Sequence, residues 1–175
     1  MPAPPERFAI PWSTKKLTGL VVMSAMLVVV GVLMSVVVAD APTVVRGLGV
    51  LCIAFFGTCG AYAVAKLFDR SPAVILDREG IIDNSSAGAV GRIRWDEISD
   101  LRVSTIGTQR FLTIDVVDVR RFAGRGGVVR RRLNAGNVRL VGSAINIPTL
   151  TLAVSMDELF RQVEIFYAAY GRRRG

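Results

Sequence analysis

The stretch "GRIRWDEISDLRV", Gly91 to Val103, decides how the chain folds. Ile93 and Trp95 alternate with Arg92 and Arg94, which is the period of a strand with one face covered. The phase breaks at Asp96 and Glu97. Ile98 and Leu101 follow at turn-like spacing, and a second alternation runs through Leu101, Val103 and Thr105. The stretch therefore reads as strand, tight corner, strand.

Short alternating segments continue on both sides. "AVILD" and "IIDNS" flank "REG", Arg78 to Gly80, a hairpin signal in which Gly80 is expected to supply a positive φ. Arg110 to Val119 places Leu112, Ile114 and Val116 on one face and Thr113 and Asp115 on the other. "AINIP" and "LTLAV" around Pro148 complete a set of seven strand candidates. In "SMDELFRQVEIFYAAYG", Ser155 and Glu158 have capping-box spacing, Asp157 and Glu158 suit the positive end of a helix, and Gly171 suits its exit. Leu159, Val163, Phe166 and Tyr170 form one apolar face, the natural cover for an open set of strands.

The N-terminal part differs in kind. The 175-residue chain is 51% hydrophobic, with mean hydropathy +0.46, and the excess is concentrated in two uncharged runs, Leu17–Val38 and Gly47–Ala65. As helices rising about 1.5 Å per residue, both are long enough for a hydrocarbon core of about 30 Å. "DAPTVVR", Asp40 to Arg46, breaks them apart, so a helical hairpin is predicted. "ADA" at Ala39–Ala41 has the form of a signal-peptide cleavage site, but the run before it exceeds the usual 7 to 15 residues and Pro42 follows it poorly. Arg7, Lys15 and Lys16 precede the hairpin, Lys66 and Arg70 follow it, and the connection holds Arg46. This bias puts both termini in the cytoplasm. The implied organisation is an N-terminal tail (1–16), a hairpin (17–65, with spans 17–38 and 47–65), a cytoplasmic domain (68–171) and a basic tail (172–175). Cys52 and Cys59 lie seven positions apart in the second run, too far for a disulfide within one helix and without partner ligands for a metal. With Gly47, Gly49, Gly57 and Gly60 they suit close helix packing.

Enzyme templates fail. With no histidine in the chain, imidazole triads, imidazole bases and His-ligated metals are excluded. "AGRGGVV", Ala123 to Val129, lacks the ending of a P-loop and the pattern of a dinucleotide site. No cofactor is implied. The net charge is +8, and much of it lies in Arg120 to Gly142, where Arg120, Arg121, Arg125, Arg130, Arg131, Arg132 and Arg139 stand without an acidic residue. One reading is a solvated insertion, since beyond Lys66 the chain uses arginine and no lysine. A second is contact with anionic lipid headgroups of the inner leaflet, each basic group being worth about 1 kcal/mol before screening. Nucleic acid fits least, because Phe122 alone is available for stacking and the chain is tethered to a membrane.

The order of "VILDREGIID", "GRIRWDEISDLRV", "FLTIDVVDV" and "INIPTLTLAVSMDELFRQVEIFYAAYG" resembles the bacterial PH-like domains. With the hairpin in front, it is similar to the STM3941 family of small membrane proteins. The resemblance covers Leu17 to Gly171, and the Gly-x-Ile-x-Trp-Asp-x-Ile corner is its most specific part. It implies an α+β fold: two transmembrane helices, then a seven-stranded PH-like sandwich or barrel capped by a C-terminal helix, in which Trp95 packs with Ile98 beneath the corner rather than standing on the surface as a ligand anchor. It brings no catalytic residues to carry over. The expected role is a non-catalytic binding or scaffolding module of the bacterial inner membrane, multi-pass, with a lipid, protein or peptide partner and with homo-oligomers left open. A peptide would add to a sheet edge or lie between strand and terminal helix. The rival is an accessory subunit of a membrane enzyme complex whose catalytic groups lie on another chain.

Overall fold

The computed structural model describes residues 5–37, 42–86, 89–119, 122 and 145–171. They form a mixed α+β structure that divides into two compact units, cut at Pro11/Trp12 and at Arg70/Ser71.

The helical unit holds α1 (Thr14–Val32), extended by a π-helical turn at Leu33–Val37, and α2 (Thr43–Phe68). Ser13 caps α1 by accepting from the Lys16 N–H. Both helices are long and apolar enough to cross a membrane. They pack on each other through small residues. A side chain on Gly31 would meet the Gly49 carbonyl at 2.8 Å, and one on Gly60 would meet Ser24 at 3.2 Å. The expectation for the glycines thus divides: Gly49 and Gly60 lie at the contact, whereas Gly47 and Gly57 face open space. Cys52 lies at the contact as well, beside Gly31; both cysteines are free.

The second unit begins before the helices. Arg7–Ile10 (β1) pairs antiparallel with Val74–Asp77 (β2), followed by Gly80–Asp83 (β3) and Gly91–Arg94 (β4) in a sheet ordered β1-β2-β3-β4. Ile10 is the register partner of Val74, so the helical unit is inserted between two hydrogen-bonded neighbouring strands. Both chain connections to the helices leave from that one end of the sheet. Residues read as tail therefore supply a strand, whose four residues between prolines are too few for periodicity to reveal.

After β4 the chain makes a 3₁₀ turn at Trp95–Glu97 and enters a second sheet, ordered β5-β6-β7, of Ile98–Ile106, Gln109–Val116 and Ile145–Pro148. A bulge at Ser99 sits where β5 begins. Leu150–Val154, expected as another strand, is a turn: Pro148 ends the ladder, the Thr149 carbonyl takes the Leu152 N–H, and the Ala153 N–H reaches the Pro11 carbonyl. Among the described residues, seven strands thus arise with β1 in place of that segment.

Met156–Phe166 (α3) closes the unit and packs on β2 and β6, so it touches both sheets. Ser155 caps it by accepting from the Glu158 N–H at 3.2 Å, while the Glu158 carboxylate turns to Arg161 and Gln162. Leu159, Val163 and Phe166 are fully buried together with Leu76, Ile81, Ile93, Leu112, Ile114 and Ile147. Tyr170 is half-buried at the end of this face, where Tyr167–Gly171 forms a π-helical turn.

Candidate functional site

The corner carries the site. Trp95 is 3% exposed, and its indole N–H donates to the Asp77 carbonyl at 2.9 Å. Its backbone N–H donates to Glu79, and the Glu97 carbonyl accepts from Val117. The Glu97 carboxylate accepts from the Arg94 N–H at 2.9 Å. The turn is thereby fixed to β2, β4 and the end of β6. Trp95 stacks near Phe166 at 6.4 Å and lies 6.1 Å from Tyr167. Its role is structural, as its alternation with the arginines implies.

Alternation sends the neighbouring side chains outward. Arg92 and Arg94 leave β4 on the face opposite the buried Ile93, and Arg78 and Glu79 form the β2–β3 turn. With Trp95, Asp96 and Ile98 as floor and Tyr167 and Tyr170 as the far wall, they line a cleft of about 820 Å³. That volume is ample for a small ligand or a peptide segment. The Tyr167 hydroxyl points to the Ile98 carbonyl at 3.4 Å.

Each rim guanidinium has a carboxylate. Arg94 forks onto Asp96 through two bonds of 3.0 Å, Arg92 spans Asp77 and Glu79, and Arg78 meets Glu6 at 2.6 Å. Asp77 also accepts the N–H groups of Glu79 and Gly80. Burial pushes its pKa up, but the Arg92 hydrogen bond, the two backbone N–H groups and the Arg92 charge outweigh burial and hold it below its ordinary value. The Arg78–Glu6 and Arg94–Asp96 pairs are largely exposed, where ion pairs contribute about 0 to 1 kcal/mol. The lining is mostly charged and aromatic, with three arginines, two carboxylates, Trp95 and two tyrosines. Among the described residues, no three potential ligands converge to hold a metal.

The arginines singled out by sequence, Arg120, Arg121, Arg125, Arg130, Arg131, Arg132 and Arg139, lie outside the described residues. Their flanks are informative. Phe122 is 1% exposed and borders a small cavity with Asp96, Glu97, Val117 and Asp118, so the one aromatic ring of the basic run is not available for base stacking. The cleft itself was missed by periodicity. Its signals were the outward pair Arg92/Arg94 and the helical spacing of Tyr167 and Tyr170, but bringing them together needs the corner.

The chain matches no protein-family model, no curated protein and no solved structure.

Proposed function

We propose that the protein is a membrane-anchored, non-catalytic binding module, with a PH-like cytoplasmic domain that receives a segment of a protein partner in the arginine–tyrosine cleft. The observation that carries the anchoring is the pairing of β1 with β2 on either side of the hairpin. It requires residues 10 and 74 to lie on the same side of any membrane that the helices cross, as an even number of crossings demands. Cleavage after Ala41 would remove β1 from its sheet, which argues against a signal peptide. The helices leave large apolar side chains in the open, among them Met26 at 65%, Val44 at 81% and Leu51 at 63%. A soluble core helix would cover such residues, whereas lipid accommodates them.

Orientation is supported by the end of the hairpin joined to the sheet. There Lys66 lies 4.8 Å from the Trp12 ring and pairs with Asp69 at 2.8 Å, near Tyr62, Lys15 and Lys16. Basic and aromatic residues of this kind mark a cytoplasmic interface. The order of two antiparallel sheets followed by a closing helix supports the PH-like reading. The arginines of 120–139 add a second candidate contact, with anionic headgroups. Flotation with anionic and neutral vesicles, before and after Arg130, Arg131 and Arg132 are changed to glutamate, separates it from the cleft.

The anchoring is tested in a chain with Cys52 and Cys59 changed to alanine and one cysteine introduced at Asp40 or at Glu79. A membrane-impermeant maleimide should label position 40 in intact bacteria and position 79 only after permeabilisation. Equal labelling of the two would remove the membrane reading.

A further inference from the structure

The two ends of the sheet-containing unit differ in charge. At one end lie the turn Asp77–Gly80, the corner Arg94–Glu97 and the exit of β6 at Asp118, which together carry Asp77, Arg78, Glu79, Arg94, Asp96, Glu97 and Asp118. The other end is where both connections to the helices leave, next to Ile10 and Val74. The β3–β4 connection lies there because Asp83 pairs with both Val74 and Gly91, and the Asn84 N–H donates to the Ala73 carbonyl. The segment after β7 lies there because Ala153 donates to Pro11. The β5–β6 turn sits beside it, since Phe111 pairs with Pro148.

The sequences of these connections are Ser71–Ala73, Asn84–Ser86 with Ala89–Gly91, Gly107–Gln109 and Pro148–Ser155, and none contains a charged residue. Charges border these connections at Asp69 and Arg70 in the tether, at Arg92 beside Gly91, at Asp83, buried and held by the Ser85 N–H and hydroxyl, and at Arg110, paired with Asp157 at 2.8 Å. In the segment after β7, Leu150 is 56% exposed.

We infer that this uncharged end is a lipid-contact surface, which rests in the interfacial layer of the bilayer with Leu150 inserted among the headgroups. The inference rests on the membrane reading above. Only Trp12 and Ser13 separate Pro11 from the start of α1, and only Asp69 and Arg70 separate α2 from Ser71, so the covalent tethers hold this end near the membrane. Leu150 gains by moving its apolar surface from water to the acyl boundary, and the hydroxyls and amides around it bring no charge whose hydration would be lost there, which is the composition found here and not at the opposite end. The cleft, at the charged end, stays open to ligands in water.

The test uses the full chain with Cys52 and Cys59 changed to alanine, reconstituted in phosphatidylethanolamine–phosphatidylglycerol vesicles. An environment-sensitive fluorophore is attached at a single cysteine replacing Leu150, Thr108, Glu79 or Leu51, with headgroup-nitroxide lipid as quencher for the first three and lipid carrying the nitroxide on its acyl chain for position 51. Positions 150 and 108 should be blue-shifted and quenched several-fold more than position 79. Position 51, in α2, reports insertion of the hairpin. Quenching at 51 with positions 150 and 108 no more quenched than 79 would overturn the inference while leaving the anchoring intact. No quenching at 51 would overturn both.

Discussion

Trp95 and Asp77 show how much of the corner rests on two side chains. The indole fills the core beneath the turn and satisfies the Asp77 carbonyl, while the Asp77 carboxylate satisfies the next turn and Arg92. Trp95→Ala should cost about 3 to 5 kcal/mol, as aromatic truncations in cores do. Trp95→Phe keeps the ring and loses the hydrogen bond, for about 1 to 2 kcal/mol. Chemical denaturation of the full chain in detergent, followed by circular dichroism, distinguishes them. Because the folded-state pKa of Asp77 lies below its ordinary value of 3.8, its contribution is fully present above that value and is lost as pH falls through the folded one. Asp77→Asn should therefore lower the melting temperature at pH 7 and flatten its decline below about pH 4. An unchanged acid limb would contradict this role. The tryptophan's place was legible because its alternation was unbroken. Gly80 was misread: its φ is not positive, and glycine is needed because the Ile93 carbonyl passes too close for any Cβ. That constraint comes from the next strand, β4, paired beside it. Positive φ belongs instead to Gly91 and Gly107.

The helices and strands follow their local patterns where these are long. α1, α2 and α3 were all visible, by apolar length or by the Ser155 cap and its following face. Ser155→Ala should cost about 1 kcal/mol, measured by thermal unfolding. The hairpin's contact was only half visible, since composition gives a population of glycines and not the ones that touch. Gly31 and Gly49 are the close approach: a Cβ on Gly49 would meet Ser35 and the Gly31 carbonyl. Gly49→Ala should destabilise the hairpin by about 1 to 3 kcal/mol, whereas Gly57→Ala, with open space before it, should stabilise by up to about 1 kcal/mol. Equal effects at the two positions in a detergent unfolding assay would contradict this packing. The segment around Pro148 shows the opposite limit, because "LTLAV" has strand propensity but the chain needs those residues to turn from β7 into the cap of α3.

At the scale of the molecule, the domain after residue 68 and the hairpin before it were legible as successive blocks, but their interleaving was not. A four-residue strand closed by prolines carries no periodic signal, and its partner is more than sixty residues away along the chain. The cleft was hidden for the same reason, as it joins a β-turn, a corner and the end of α3. If it receives a partner segment, a photo-crosslinking residue at Tyr170 should form a protein adduct in cells that Arg94→Glu abolishes. An adduct insensitive to that change would point away from the cleft.

The insertion of the helices between paired strands is read most directly by a disulfide. Cross-strand partners have Cα atoms about 4.5 to 5.5 Å apart, within reach of a disulfide. In a chain lacking Cys52 and Cys59, cysteines at the partner positions Ala9 and Ile75 should form a bond on mild oxidation in native membranes. After cleavage at a protease site placed between Asp40 and Pro42, the two fragments should then stay joined until reduced, and a control pair at Ala9 and Thr108 should release them. Release of the Ala9–Ile75 fragments without reductant would contradict the pairing, and with it the single sheet that brackets the hairpin.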